Sequence, residues 1–254
     1  MAQLPLTQRI EQARQVLQAC QRLAVFTGAG VSRASGLATY RDAAGAWQKY
    51  DPRIYATLEG FLAHPRKVWA WYNQRRQDML QAQPNAAHRA IAELEATIPQ
   101  VTVITQNIDG LHQAAGSRRV LELHGSFRRF KCSAACRGEP TLLPEPPLDL
   151  ELPPPCPYCG AWQRPDVVWY GEMLPPPTWE AAVEAALSAQ VLLIVGTSGL
   201  VAPAASLPTW ALEQGVFCIE INPEPTPLTP RVQLVLDGPA EVILPRLLPE
   251  RPMV

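Results

Sequence analysis

Val101-Thr102-Val103-Ile104-Thr105-Gln106-Asn107-Ile108-Asp109-Gly110-Leu111-His112 is the stretch that decides the fold. Its first four residues form a short apolar run that predicts a buried strand. Amide and carboxylate groups follow without an interval. Open α/β sheets bind their ligands at the carboxyl ends of strands, so a polar cluster placed there reads as part of a site. Leu121-Glu122-Leu123-His124-Gly125 comes next, and then two cysteine pairs, Cys132 with Cys136 and Cys156 with Cys159.

Working outward, Thr7 to Arg22 reads as a helix, and Leu23 to Thr27 as a buried strand ending in Gly28. Apolar runs at Val120 to Leu123, Val191 to Val195 and Val216 to Ile221 alternate with helical patterns at Asn85 to Thr97, Thr178 to Ala189 and Pro203 to Gln214. Such alternation predicts an α/β protein with a parallel, doubly wound, Rossmann-like sheet. Two segments interrupt it: 43–83, rich in Trp, Tyr and Arg, and 128–163, which carries the cysteines. They read as a helical insert and a zinc-binding insert that build a smaller domain. The Rossmann-like domain is then 1–42, 84–127 and 164–254.

The 254 residues, 47% of them hydrophobic, can bury a substantial core. A formal net charge of -1 gives no overall basic field, which argues against a nucleic-acid partner. No run approaches the ~18 apolar residues of a membrane span, and the N-terminus has no signal-peptide pattern. The expectation is a soluble cytoplasmic protein and a compact monomer. Paired cysteine spacing favours metal binding in a reducing compartment over a disulfide framework.

Cys132-x3-Cys136 and Cys156-x2-Cys159 fit a four-thiolate tetrahedral zinc site. A closed sulfur shell leaves no open coordination position, so the zinc is expected to be structural. Gly28-Ala29-Gly30 follows a strand and should open a helix, where bare backbone N–H groups can approach a pyrophosphate. A tight strand-to-helix turn explains the same residues, and Arg33 stands where a dehydrogenase fingerprint has a small residue. Asn-Ile-Asp-Gly likewise doubles as a turn in which Asn107 or Asp109 caps a helix.

Taken together, Gly28-Ala29-Gly30-Val31-Ser32, Ser35 to Arg41, Gln106-Asn107-Ile108-Asp109, Leu123-His124-Gly125, the four cysteines and Gly196-Thr197-Ser198 closely resemble the sirtuins, the NAD-dependent protein lysine deacylases. The likeness spans nearly the whole chain. It departs at Ala38 and Tyr40, where the family usually has Pro and Phe, and in the extra residue between Cys132 and Cys136.

The resemblance implies that Tyr40, Arg41 and the loop out to Trp47 enclose NAD. It places Gly28, Ala29, Gly30 and Ser32 on one side of the cofactor, and Gln106, Asn107, Ile108 and Asp109 around its nicotinamide half. Gly196, Thr197 and Ser198 become a second phosphate and ribose platform, Asn222, Pro223 and Glu224 hold the adenosine ribose, and Ala240 meets the adenine. Asn222 and Glu224 also read as turn residues and Ala240 as a helix start. Catalysis falls to His124 as general base, with Asn107 beside it. The acyl-lysine carbonyl oxygen attacks the nicotinamide ribose, nicotinamide leaves, and His124 accepts a proton from the ribose hydroxyl chain so that the acyl group departs as O-acyl-ADP-ribose. His64, His88 and His112 carry no such role and read as structural. The partners implied are acylated lysine-containing proteins or peptides.

Tyr72 and Arg75 lie three apart on a predicted helix, where an arginine fork and a phenol can converge on a carboxylate. With Ala56 upstream as a small pocket residue, they are similar to the desuccinylase and demalonylase branch of the family. The plainer reading makes Arg75-Arg76 a solvated helix face and Tyr72 a packing residue. Val167, Val168 and Trp169 begin a segment similar to the one that pairs with substrate peptide as an added strand, although an ordinary apolar strand explains it too. The alternative activity on this framework is transfer of ADP-ribose to protein. A catalytically idle zinc-ribbon module is the third reading.

Overall fold

A computed structural model describes residues 4–38 and 49–249. Six parallel strands lie in the order β3-β2-β1-β7-β8-β9. They are β1 (Arg22–Thr27), β2 (Gln100–Thr105), β3 (Val120–Glu122), β7 (Val191–Val195), β8 (Phe217–Asn222) and β9 (Leu234–Asp237). The chain winds outward from β1 to β3 on one side and from β7 to β9 on the other, so the order reverses between β1 and β7. The crevice at that reversal opens at the strands' carboxyl ends, which places the predicted site.

Both sheet faces are covered because successive side chains alternate. Val25, Val103, Leu193 and Ile219 pack against helices Leu6–Gln18 and Ala86–Leu94 and the turns at Ala240–Leu247. Ala24, Phe26, Ile104, Leu192 and Ile194 face the opposite way, onto helices Pro176–Leu187 and Ser206–Glu213. The sheet is therefore doubly wound, as the alternation predicts.

Element ends differ from the sequence reading in informative ways. The first helix stops at Gln18 and Arg22 already belongs to β1. The reading overran because Ile10, Ala13, Leu17 and Cys20 keep helical spacing and all four are buried, Cys20 from beyond the helix. Asn85 lies before its helix and caps it: its Oδ1 accepts from the Ala87 N–H at 2.9 Å, and His88 Nδ1 accepts from the Asn85 N–H at 3.3 Å.

The smaller lobe combines a three-stranded antiparallel sheet with helices. β4 (Gly125–Cys132) lies between β5 (Leu142–Leu143) and β6 (Gln163–Val167). Helices Pro52–Tyr55, Leu58–Ala63 and Pro65–Gln81 pack on it through Tyr55, Phe61, Trp71, Tyr72, Phe127 and Trp169. A strap running from Glu145 to Glu151, between the two cysteine pairs, is tied to the long helix. Trp69 Nε1 donates to the Leu150 carbonyl at 3.0 Å, and Arg76 Nη1 to that of Pro146 at 2.9 Å. Arg76 is buried, pairs with Glu145 and lies over the Phe130 ring, so the pair Arg75-Arg76 is not a solvated face.

The four cysteine Sγ atoms lie within 4.8 Å of one another. Cys132 approaches Cys159 at 3.6 Å and Cys136 approaches Cys156 at 3.8 Å. Thiolates arranged tetrahedrally at about 2.3 Å from zinc stand about 3.8 Å apart, whereas a disulfide needs about 2.05 Å. The geometry fits a structural zinc ion held by all four.

The extra residue in the first knuckle leaves its mark: Ala135 has φ +46°, in the left-handed region. That conformation costs a non-glycine residue about 1–2 kcal/mol. Ala135→Gly is expected to raise stability by about 0.5–1 kcal/mol. Urea unfolding of the zinc-loaded protein checks it, and a lowered midpoint would contradict this assignment of strain.

Candidate active site

Four strand ends converge on one cleft of about 1000 Å³ at the reversal point. From β1 come Gly28, Ala29, Gly30 and Ser32; from β2, Gln106, Asn107, Ile108 and Asp109; from β7, Gly196, Thr197 and Ser198; from β8, Asn222, Pro223 and Glu224. Ala240 and His124 line the same space, as do Ala56, Tyr72, Arg75, Val167, Val168 and Trp169. Tyr40, Arg41 and Trp47 lie outside the described residues. Every other residue expected at the cofactor, catalytic or substrate positions borders one cavity.

The glycines serve a tighter fit than the turn alone requires. A Cβ on Gly28 would lie 2.8 Å from the Thr197 Cβ, and one on Gly30 would lie 2.7 Å from the Gly196 carbonyl oxygen. Gly30 N–H donates to that same oxygen at 2.9 Å. The loops after β1 and β7 thus touch backbone to backbone, and a side chain at either glycine would push them apart. Gly28 does not itself open an α-helix: Ala29–Ser35 forms a 3-10 helix.

A buried hydrogen-bond network links the loops. Ser32 Oγ donates to Asp109 Oδ2 at 2.8 Å and accepts from Asn107 Nδ2 at 3.1 Å. Asn107 Nδ2 also reaches the Gly28 carbonyl at 3.1 Å. Asp109 Oδ1 accepts from the Leu111 N–H at 2.9 Å, so this residue caps the following turn as well as facing the cleft. Burial raises the Asp109 pKa, opposed by the Leu111 N–H and the Ser32 hydroxyl. Gln106 Nε2 donates to Thr197 Oγ1 at 2.9 Å, and Asn222 Nδ2 to the Thr197 carbonyl at 3.1 Å. Thr197 therefore already joins three strand ends.

His124 follows β3, is partly buried, and is fixed on both sides. Its Nδ1 lies 3.0 Å from the Gln106 carbonyl, which can only accept, so Nδ1 carries the proton and the neutral ring keeps Nε2 as an acceptor. Burial lowers its pKa, with the Gln106 carbonyl opposing, which favours the neutral ring. Its own carbonyl takes the Val168 N–H at 2.9 Å. Gly125 has φ +78° and a Cβ there would lie 2.0 Å from the Asp166 carbonyl oxygen, so only glycine lets β4 leave the histidine this way.

His88 and His112 are buried, do not line the cleft, and have their rings 4.9 Å apart. Burial, reinforced by the charge of Arg89, pushes His88 down to about 4; burial, reinforced by His88, pushes His112 down to about 3. The folded protein resists protonating rings that the unfolded chain protonates near pH 6.5. Stability is thus expected to fall as pH drops below about 6.5, by up to about 1.4 kcal/mol per pH unit for each ring, with Asp109 acting in the opposite sense. Urea midpoints at pH 7 and pH 5 check this, and equal midpoints would contradict it.

Val167 to Glu172 is not a continuous strand: β6 ends at Val167. Beyond it the N–H groups of Val168, Trp169 and Tyr170 go to the His124 carbonyl, Glu172 Oε2 and the Ala56 carbonyl. The buried Arg164 holds this corner, with Nη2 on Glu172 Oε2 at 3.0 Å and on the Val167 carbonyl at 2.6 Å. Sequence reasoning missed that pair. An arginine inside a strand carries no signal until its carboxylate partner is located.

Residues 28–203 match the Sir2 family. The chain belongs to the Sir2 family. It is 47% identical over 249 residues to the NAD-dependent protein deacylase of Thermus thermophilus, covering 96% of each chain. A solved Sir2 homologue in complex with ADP-ribose superposes with a TM-score of 0.86 at 40% identity, covering 93% of this chain and 96% of the other. A Sir2 homologue in complex with NAD gives 0.83 at 40% identity, covering 93% and 91%. In this Sir2-family chain no described helix is long and apolar enough to cross a membrane.

Proposed function

We propose that this chain is an NAD-dependent protein-lysine deacylase that favours acyl groups ending in a carboxylate, such as succinyl and malonyl, and also accepts acetyl. The observation that carries the reading is the single cleft, in which His124 and the Gln106–Asp109 segment share walls with Ala56, Tyr72 and Arg75. On this reading the inserts 43–83 and 128–163 build the smaller lobe together with the flanking strand residues 125–127 and 164–167, and the acyl-lysine enters between the two lobes. The enzyme acts as a cytoplasmic monomer on acylated protein segments, without nucleic-acid or membrane partners.

NAD, when bound, supplies a ribose carbon that nicotinamide can leave and an acyl oxygen can attack. The chain's residues do the rest. Gly28, Gly30 and Gly196 keep the loops low enough to admit the phosphates, and Thr197 and Ser198 offer hydroxyls at a strand end. Asp109 and neighbouring backbone amides satisfy the carboxamide in a dry pocket. Neutral His124 accepts a ribose hydroxyl proton at Nε2 while Nδ1–H stays on the Gln106 carbonyl.

Half-buried Arg75 lies 5.0 Å from the Trp71 ring, on the same cleft wall as Tyr72 and small, buried Ala56. A guanidinium there recognises a carboxylate and gains little from an acetyl group. Arg75→Met is expected to lower kcat/KM for succinyl-lysine peptide by about 10²-fold more than for acetyl-lysine peptide. Equal losses in steady-state kinetics would remove the carboxylate preference. The activity itself is tested by mass balance: each nicotinamide released should accompany one deacylated peptide and one O-acyl-ADP-ribose. A peptide that gains the mass of ADP-ribose would indicate transfer instead.

A further inference from the structure

We propose that Trp169 is a positioning residue for acyl recognition, acting through Tyr72: its indole N–H fixes the phenol so that the phenol offers its proton to the far end of the acyl chain. The proposal rests on the reading that Tyr72 and Arg75 receive an acyl carboxylate, and it gives Trp169 a task distinct from contact with the peptide.

Trp169 Nε1 lies 2.6 Å from the Tyr72 hydroxyl oxygen, and the two residues are 3% and 5% exposed. An indole N–H has no acceptor role, so the direction of this bond is fixed: Trp169 donates and Tyr72 accepts. A phenolic O–H prefers the plane of its ring. Accepting at one of the two in-plane positions turns the proton to the other, and a carboxylate is the terminal group that can only accept. The arrangement therefore favours an acyl end bearing a carboxylate over one presenting a donor.

The indole is held as firmly as the bond requires. The Arg164 guanidinium lies 3.4 Å from its ring centroid, Phe61 packs on it at 5.4 Å, and the Tyr72 ring lies 5.8 Å away. Its backbone N–H is pinned by Glu172 Oε2 at 2.9 Å, and that carboxylate is in turn held by Arg164. The corner that walls the peptide side of the cleft and the phenol that reads the acyl end are thus one connected unit. Arg164, Glu172, Trp169 and Tyr72 form it in sequence, each through a hydrogen bond.

The test compares Trp169→Phe, Tyr72→Phe and the double variant on succinyl-lysine and acetyl-lysine forms of one peptide, at saturating NAD. Trp169→Phe is expected to lower the succinyl-to-acetyl ratio of kcat/KM about tenfold, mainly through KM for the succinyl peptide, the size of one hydrogen bond. In the Tyr72→Phe background it should lower that ratio no further. An unchanged ratio, or a full second loss in the double variant, would overturn the assignment. If Tyr72→Phe and Arg75→Met also leave the ratio unchanged, the carboxylate reading fails together with it. If they lower it and Trp169→Phe does not, only the role of Trp169 fails. A second readout needs no substitution at Trp169: its nitrogen-15 indole resonance should shift on Tyr72→Phe, and a resonance indifferent to that change would also overturn the proposal.

Discussion

His124→Ala is expected to lower kcat for O-acyl-ADP-ribose formation by about 10²–10⁴-fold, the range over which a positioned general base acts. The size of the effect follows from how little else in the cleft can take its place. The histidines His88 and His112 are buried and do not line the cleft, burial suppresses their protonation, and Asp109, which accepts from Ser32 and the Leu111 N–H, is assigned to the carboxamide. His124 alone combines an acceptor nitrogen, a fixed tautomer and a place on the cleft wall. The loss should appear in kcat at saturating NAD and peptide. A variant whose only defect is a raised KM for NAD would assign His124 to binding.

Removal of zinc is the second large effect, and it acts at a distance. Structural zinc sites hold about 10–16 kcal/mol of apparent binding free energy, which is folding free energy for the segment they close. Here that segment runs from Cys132, the last residue of β4, to Cys159, just before β6, and β4 begins at Gly125, directly after His124. The β6 end also supplies the Val168 N–H that anchors the His124 carbonyl. Cys156→Ser, or a strong chelator, is therefore expected to unfold the three-stranded sheet, lower the thermal midpoint and abolish turnover together. Near-ultraviolet circular dichroism of the Trp169 corner and metal analysis read the first steps without reference to activity. A zinc-free protein with an unaltered spectrum and full turnover would contradict the coupling.

Much of this architecture was legible in the residues themselves. Val191–Val195 emerges at the bounds read from sequence because an uninterrupted apolar run suits a strand buried on both faces. Asn85 announces a helix start, and the cysteine spacing announces a sulfur cluster that the fold then assembles. Other features depend on partners that no local pattern reveals. The missing side chains at Gly28 and Gly30 answer to Gly196 and Thr197, far along the chain. Arg164 is intelligible only beside Glu172, and the end of β6 only beside the Ala56 carbonyl and the His124 carbonyl. The phenol of Tyr72 could be placed near Arg75 from helical spacing, but its bond to Trp169 joins residues 97 apart in sequence.

A crystal structure of the protein with NAD and an acyl-lysine peptide tests the central claim most directly. The nicotinamide ribose should lie at the crossing between β1 and β7, with His124 Nε2 within about 3.2 Å of a ribose hydroxyl and the acyl end between Tyr72 and Arg75. A ribose bound elsewhere, or a His124 ring turned away from it toward the protein interior, would contradict the account.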